Sequence, residues 1–251
     1  MSPSTEVREN RAFASEIKFL VTPALAAQLR PWAKAHLGVD PYVSEEFGDA
    51  YRTTSIYFDT AGLDVYHRRG SFGRSKYRIR RYGAAEAVFL ERKLKTHDLV
   101  SKRRSIICVG DLAWLAGPEA RTEWAGYWFH RRLLARKLAP VCQISYLRNA
   151  YVARTDYGPI RLTLDQEIRA LPLDRLAFRA AGNSTLLSQA EFILELKYVH
   201  QTPALFKSMV EQFQLRPAPV SKYRLAAVAL GLAPERRKNS PTERVPNLLY
   251  A

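Results

Sequence analysis

The chain has 251 residues, of which 47% are hydrophobic, and it carries a formal net charge of +15 at pH 7. This length suits one large domain or two small ones with a sizeable core, and the basic charge predicts polyanionic partners such as nucleic acid, anionic lipid or phosphates. The two cysteines, Cys108 and Cys142, each lie in an apolar stretch. We expect buried free thiols there, and a disulfide framework is not supported.

The sequence shows neither a membrane span nor a secretion signal. No apolar run approaches the length of a membrane span, and the first ten residues, "MSPSTEVREN", have no hydrophobic signal-peptide region. Residues 1–10 are polar and 233–251 are charged and rich in proline, so we expect a flexible arm and a flexible tail. We therefore predict a soluble, cytoplasmic protein with one domain over residues 11–232.

Segments rich in β-formers alternate along the chain with segments of helical periodicity. Thr22 and Pro23 match an N-cap residue followed by proline in the first helical turn, and Pro31 is a candidate kink in the same helix. Gly83 marks a tight hairpin turn. The predicted elements are, in order, a strand at 13–21, a helix at 22–37, a strand at 51–60, a short helix at 61–69, strands at 74–82, 86–95 and 99–109, a helix at 121–138, strands at 141–154, 158–168 and 190–199, and helices at 202–215 and 221–232.

This order of elements predicts an α+β fold, an eight-stranded antiparallel β-barrel with flanking helices. The strand "RSKYRIRRY" (74–82) places a basic residue at every second position, and alternate side chains of a strand point to opposite faces. Other strands show the same alternation. The charged or polar faces carry Glu16 and Lys18; Lys76, Arg78 and Arg80; Glu91, Lys93 and Lys95; Lys102 and Arg104; Tyr146 and Arg148; Arg161, Thr163, Asp165 and Glu167; and Glu195 and Lys197.

The direction of these charged faces has two interpretations. In an ordinary small barrel the apolar faces point inward, and the charges are solvated outside. However, the interspersed helices have apolar stripes that need an apolar sheet surface to cover, and the charged faces hold few carboxylates to pair their cations. A cation-lined interior requires an anion or water to fill it. Periodicity and composition alone leave both arrangements open.

Nine short segments follow one another as they do in the VTC domain, and the resemblance spans roughly residues 11–232. They are "EIKFLV" (16–21), "SIYFDT" (55–60), "KYRIRRY" (76–82), "FLERKLK" (89–95), "SKRR" (101–104), "YLRNAY" (146–151), "IRLTLDQEI" (160–168), "LELKY" (194–198) and "SKY" (221–223). The chain thus resembles the polyphosphate polymerase module of the vacuolar transporter chaperone complex, in the triphosphate tunnel metalloenzyme or CYTH-like superfamily. The resemblance implies an eight-stranded antiparallel tunnel with its cations inside.

The resemblance also implies site residues. The implied catalytic residues are Lys18, Arg78, Arg80, Lys93, Arg148 and Lys222, and the implied phosphate-binding residues are Lys102, Arg104, Tyr146, Lys197 and Ser221. Glu195 matches the carboxylate that holds a divalent cation, Mn²⁺ or Mg²⁺. The superfamily commonly opens with Glu-x-Glu-x-Lys, but Ala14 replaces the first carboxylate here. The missing carboxylate disfavours a two-metal hydrolase.

The implied function is a metal-dependent polyphosphate polymerase that transfers the γ-phosphate of ATP to a growing chain inside the tunnel. One alternative is a triphosphatase that hydrolyses inorganic or organic triphosphates, and another is a non-catalytic polyphosphate- or nucleic-acid-binding module. ATP and polyphosphate are the expected partners; without a nucleic-acid-binding motif, nucleic acid is not. Asp165 and Glu167 could be further metal ligands or salt-bridge partners of the cations. We expect regulation or export to require partner proteins.

Overall fold

A computed structural model describes residues 11–40, 47–96, 99–180, 182–188 and 191–233, so the predicted arm and nearly all of the predicted tail lie outside the described residues. The strands are β1 Arg11–Val21, β2 Gly38–Val39, β3 Ala50–Asp59, β4 Ser75–Tyr82, β5 Ala87–Thr96, β6 Leu99–Cys108, β7 Ala139–Thr155, β8 Gly158–Pro172, β9 Thr185–Leu186 and β10 Phe192–Tyr198. The α-helices are α1 Pro23–His36, α2 Asp64–His67, α3 Tyr127–Ala135, α4 Ala204–Gln212 and α5 Lys222–Ala229, with 3₁₀ helices at Gly70–Phe72 and Val109–Ala116.

Eight of the strands pair in a complete circuit. The antiparallel neighbours run β7-β3-β4-β5-β6-β1-β10-β8, and β8 pairs again with β7 along most of its length. The two-residue strands β2 and β9 pair antiparallel with β7 and β8 respectively. The thinnest join lies between β1 and β6, where only two residue pairs are in register and a shift separates them. The predicted α+β, eight-stranded antiparallel barrel is therefore confirmed, with two short strands in addition.

Local sequence signals explain where several elements begin. The Thr22 side chain caps α1 by accepting a hydrogen bond from the Leu25 amide at 3.2 Å, and α1 continues through Pro31. Gly83, at φ +52°, turns the β4–β5 hairpin. The predicted helix at 121–138 is shorter than expected and starts at Tyr127. A β-carbon on the preceding Gly126 would lie 2.4 Å from the Trp124 ring, so the close approach of this ring requires glycine.

Helices cover the outer surface of the sheet and bury its apolar faces. On one side, α1 and α4 pack their buried side chains against β1, β8 and β10, where the core contains Phe19, Leu162 and Leu196. On the other side, α3 packs Phe129 against β3 and β4, where the core contains Ile79. Because both apolar layers lie outside the circuit, the opposite, charged faces of these strands point inward.

A buried carboxylate at the end of β3 connects this strand to two helices, α2, which follows it in sequence, and α5, which lies beside it in space. Asp59 accepts hydrogen bonds from the amides of Val65 and Tyr66 at 2.8 and 2.9 Å, and from the Tyr223 hydroxyl at 2.5 Å. The Asp59 residue is fully buried. This one side chain thereby fixes α2 and the first turn of α5 against the barrel.

Two further observations bear on the sequence predictions. Within the described ranges, no helix combines the length and the apolar character needed to cross a bilayer. Both cysteines are free thiols, as expected; Cys142 is buried, but the expectation for Cys108 is wrong. Cys108 is the last residue of β6, and it is exposed at the end of this strand.

We predict that Asp59→Ala lowers the free energy of unfolding by about 3 kcal/mol, because it leaves two buried amides and a buried hydroxyl without their acceptor. Urea denaturation followed by circular dichroism measures the change. Asp174→Ala is the matched control, since the Asp174 side chain is 77% exposed and its loss should change stability by about 0.5 kcal/mol or less. Equal stabilities for the two variants would contradict the anchoring role of Asp59.

Candidate functional site

The interior of the strand circuit contains a strongly basic cavity with a volume of about 80 Å³. This space would hold several water molecules, at roughly 10–15 Å³ of such volume for each. Eight of the fourteen lining side chains are Lys or Arg and two are Glu. The lining residues are Glu16, Lys18, Tyr57, Lys76, Arg78, Arg80, Lys93, Tyr146, Arg148, Glu195, Lys197, Ser221, Lys222 and Tyr223.

Buried carboxylates hold most of these cations in place. Glu91 is the centre of the first group and its side chain is 1% exposed. It accepts from Arg78 Nε at 2.6 Å and from Arg104 at 2.6 and 2.9 Å, and it also pairs with Lys102. Three cations on β4 and β6 thus converge on a single acidic residue of β5, the strand between them.

Asp165 on β8 is the centre of a second group. Arg148 donates to both of its carboxylate oxygens, at 2.6 and 2.8 Å, in a bidentate pair, and Lys222 donates at 2.5 Å. The Tyr146 ring lies beside both cations, with Lys222 Nζ 4.7 Å from its centroid. The Tyr146 hydroxyl accepts from Arg80 at 3.0 Å. Asp165 is therefore a salt-bridge partner of the cavity cations in this structure.

Two glutamates on neighbouring strands form the third group. Glu16 on β1 pairs with Lys93 at 2.7 Å and with Lys18 at 3.1 Å, and Glu195 on β10 pairs with Lys197 at 2.6 Å. The β1–β10 register places Glu16 opposite Lys197 and Lys18 opposite Glu195. Opposite charges therefore alternate both along and across this part of the cavity wall.

The surrounding cations keep the cavity carboxylates ionised. Burial and the nearby Glu195 raise the pKa of Glu16, but the lysines beside it outweigh both effects and bring it to about 2. Burial raises the pKa of Asp165, and Arg148 and Lys222 outweigh it and lower the pKa to about 2. The pKa values of Glu91 and Glu195 also lie well below the usual range, for the same balance of causes.

For two of the lysines, the surroundings favour the uncharged form rather than the charged form. Burial lowers the pKa of Lys93 to about 8, although Glu16 opposes the shift. Burial likewise lowers the pKa of Lys102 to about 7, against the attraction of Glu91. The cavity thus has more basic groups than its carboxylates can balance, and burial brings the pKa of Lys93 in its lining, and of Lys102 beside it, closer to neutral pH.

The structure brings together most of the predicted site residues, while their chemical roles stay predictions. All six implied catalytic residues line the cavity, together with Tyr146, Lys197 and Ser221 and the implied metal ligand Glu195. Lys102 and Arg104 are not part of this lining and instead pair with Glu91. Glu167 lies at a bulge in β8 with φ +51° and is exposed, away from the cavity.

A divalent cation would fit the two glutamates only with help from a ligand. The described part of the chain gathers no group of three or more His, Cys, Asp or Glu side chains around a common point. Glu16 and Glu195 interact with one another, but each is engaged by lysines. Mg²⁺ in phosphate-transfer sites commonly takes one or two carboxylates and completes its shell with phosphate oxygens and water. The donor set here matches that incomplete pattern.

Several lining residues were absent from the set that the resemblance implied. Lys76 and Glu16 share the alternation of Arg78 and Lys18, so the periodicity places them on the same strand faces as those two residues. Tyr57 accepts from Arg78 at 3.3 Å, and its ring stacks on Tyr223 with centroids 5.5 Å apart. The sequence did not indicate that either tyrosine lines the cavity, because both lie in apolar-rich segments that are equally compatible with the hydrophobic core.

Comparisons with known proteins agree with this architecture. A protein from Hippeastrum, described as a candidate adenylyl cyclase with a dominant triphosphatase activity, has a similar structure with a TM-score of 0.54 and 15% sequence identity, covering 87% of this chain and 96% of its own. A candidate adenylate cyclase from Bacillus halodurans has a TM-score of 0.50 and 15% identity, covering 82% and 92% respectively. No curated protein matches the chain.

At these identities, the solved structures support the fold alone. The family comparison is more specific, because the model of the VTC domain matches residues 13–230, nearly the whole described part of the chain. This match confirms the family resemblance that the nine sequence segments indicated. The chain belongs to the VTC domain family.

Proposed function

We propose that the protein is a metal-dependent polyphosphate polymerase that transfers the γ-phosphate of ATP to a growing polyphosphate chain inside the barrel. The observation that carries the proposal is the inward convergence of eight cations on one cavity, with only two carboxylates in its lining. Membership of the VTC domain family supports the broader class, an enzyme that acts on triphosphates. A linear phosphate polymer supplies the negative charge that this cavity lacks.

The basic residues would bind and orient the phosphates. Arg78, Arg80 and Arg148 offer planar guanidinium groups that can engage two phosphate oxygens at once, whereas the lysines act as point charges. Each arginine is already held by a protein acceptor: Glu91 for Arg78, Tyr146 for Arg80 and Asp165 for Arg148. Their positions are therefore fixed before substrate arrives, which reduces the reorganisation needed during transfer.

The proposed reaction is an in-line displacement at phosphorus. The terminal phosphate oxygen of the acceptor chain attacks the γ-phosphorus of ATP, the bond from phosphorus to the β,γ-bridging oxygen breaks, and ADP leaves. Such a transfer depends on positioning and charge stabilisation rather than on a protein nucleophile. The walls of the strand circuit would exclude bulk water, so the acceptor phosphate rather than water would receive the phosphoryl group.

Glu195, with Glu16 beside it, would hold the Mn²⁺ or Mg²⁺ ion. When bound, such an ion offsets negative charge on the phosphate oxygens and fixes their orientation. Lys197, which now pairs with Glu195 at 2.6 Å, would then turn toward phosphate instead. Lys18 has a pKa raised above its usual value: burial lowers it, but Glu16 and Glu195 outweigh this effect, so Lys18 remains charged for phosphate.

A triphosphatase is the second candidate, because Glu16 and Glu195 lie close together in the cavity and a structural neighbour is described as having that activity. Such an enzyme would use the same triphosphate-binding residues but would direct water at the phosphorus. Its products differ from those of a polymerase, and product analysis can therefore separate the two functions.

We predict that the purified protein, incubated with ATP and Mn²⁺, produces ADP and long-chain polyphosphate. Gel electrophoresis stained for polyphosphate, together with nucleotide chromatography, measures both products. Release of inorganic phosphate or tripolyphosphate without any longer chain would overturn the polymerase and favour the triphosphatase.

We predict that the double substitution Arg78→Ala and Arg80→Ala weakens tripolyphosphate binding by roughly 100-fold or more, since each charge-assisted hydrogen bond contributes about 1.5–3 kcal/mol. Isothermal titration calorimetry measures the dissociation constant. Arg81→Ala is the matched control: Arg81 lies on the same strand but donates to the carbonyls of Ala84 and Ala85. Unchanged affinity in the double variant would show that the cavity is not the phosphate site.

We predict that Glu195→Gln raises the Mn²⁺ concentration needed for half-maximal activity by about tenfold or more, because it removes one negative charge from the proposed ligand. Activity is measured against Mn²⁺ at saturating ATP. Glu191→Gln, an exposed glutamate just before β10, is the control and should leave this concentration unchanged. If both variants respond alike, Glu195 does not hold the metal.

A further inference from the structure

Lys76 differs from most of the basic residues in the cavity. Six of the eight lining cations are ion-paired with a carboxylate whose side chain is at most 10% exposed. Among the described residues, Lys76 and Arg80 have no such partner, and Arg80 instead donates to the Ser55 and Tyr146 hydroxyls. Lys76 donates to the Ser221 hydroxyl oxygen at 2.9 Å.

Four cations from different elements act on Lys76, and two of them, Lys18 and Lys93, are themselves paired with Glu16. Lys93 on β5 is its direct cross-strand neighbour, and Lys18 lies on β1. Arg68, just after α2, and Arg224 on α5 act on it from the helical side. Burial first, and then these four cations, lower the pKa of Lys76 well below its usual value. A lysine in such surroundings loses its proton most readily when no anion is present.

Ser221 is arranged to complete a ligand site beside this lysine. Its oxygen accepts from Lys76 and, as the N-cap of α5, from the Arg224 amide at 3.4 Å. A serine hydroxyl has two acceptor positions and one donor proton, so these contacts leave its proton available to an acceptor in the cavity. Ser221, Lys222 and Tyr223 at the start of α5 all line the cavity, so the positive end of this helix lies at the same place and favours an anion there.

We propose that Lys76 and Ser221 form a phosphate subsite that binds its ligand together with a proton, which the Lys76 amine accepts. This inference rests on the proposed function, in which a phosphate chain occupies the cavity. The incoming phosphate supplies the counter-charge that the wall lacks, so the Lys76 amine takes a proton from solvent. The amine then donates to a phosphate oxygen, and the Ser221 hydroxyl donates to the same group.

The subsite has a functional consequence for the pH dependence of binding. Because the complex holds one proton more than the free protein, affinity for phosphate must fall as pH rises through the interval between the free and bound pKa values of Lys76. Below that interval Lys76 is charged in both states and no proton is taken up. The free cavity, meanwhile, has one positive charge fewer to bury, which lowers its self-repulsion.

The test compares proton uptake by the wild-type protein and Lys76→Arg on binding tripolyphosphate. Calorimetric titrations in buffers of different ionisation enthalpy, from about pH 6 to pH 9, give the number of protons exchanged. An arginine stays charged throughout this range. We expect the wild-type protein to take up as much as about one proton more than Lys76→Arg, and its affinity to fall more steeply with pH.

Other titrating groups are controlled in the same comparison. Lys102 and tripolyphosphate itself also titrate in this range, but their contributions are common to both proteins. Lys93 faces residue 76 directly, so its contribution is separated by repeating the comparison in a Lys93→Arg background, where residue 93 stays charged. Lys34→Met removes an exposed lysine of α1 that pairs with Asp49 outside the cavity lining, and it should preserve the difference that Lys76 makes. Lys76→Met, which cannot gain a proton, should bind more weakly and also lose the extra uptake.

The outcomes separate this inference from the proposed function. If tripolyphosphate binds the wild-type protein and Lys76→Arg with equal proton uptake, the proton-coupled subsite is wrong while the phosphate cavity stands. If tripolyphosphate does not bind the wild-type protein at all, both fall. If circular dichroism shows that Lys76→Arg folds poorly, the wild-type protein is compared with Lys76→Met instead. Equal proton uptake by the wild-type protein and Lys76→Met would overturn the inference.

Discussion

The architecture depends on electrostatic compensation inside the barrel. Isolated charges cannot be removed from water without a large cost, and ten basic side chains share this interior or its immediate border. Four carboxylates, Glu16, Glu91, Asp165 and Glu195, have side chains at most 10% exposed and make the arrangement tolerable because each pairs with one or more of these cations. Glu16, Glu91 and Asp165 each join cations from different elements. The carboxylates balance only part of the charge, so the cavity remains folded yet still attracts anions. Structural stability and ligand binding thus draw on the same imbalance.

The helices make this inward orientation possible. By covering the apolar outer faces of the strands, α1, α3 and α4 remove the need for an apolar interior, and the inner faces are free to carry charge. The segment before α5 continues the arrangement at one end of the barrel. Ala218 donates its amide to the Lys18 carbonyl, and this contact brings Ser221 and Lys222 to the cavity. The ligand-facing residues consequently come from both the wall and a helix terminus.

Much of the architecture was predictable from residue periodicity. The alternation of Lys76, Arg78 and Arg80 with Tyr77 and Ile79 identifies a two-faced strand, and the Thr22–Pro23 pair correctly marks the start of α1. Periodicity could not decide which face points inward, because that depends on where the helices pack. The helix predicted at 202–215 begins later than expected: Thr202 donates to the Tyr198 hydroxyl, and α4 begins at Ala204.

The site was predictable in composition but not in pairing. Strand alternation places Glu91 among cations, yet only the β4–β5–β6 register shows that it joins Arg78, Lys102 and Arg104. The partnership of Asp165 with Lys222 links residues 57 positions apart, and no local pattern reports such a contact. For the same reason the sequence could not distinguish Lys76, which lacks a carboxylate partner, from its paired neighbours.

The first and the last elements of the described chain, β1 and α5, both contribute to the cavity. During synthesis on the ribosome, the basic strands β4 to β6 therefore emerge long before Asp165, Glu195 and Ser221 do, and the growing chain must carry its unbalanced charge in contact with solvent until the last third has been translated.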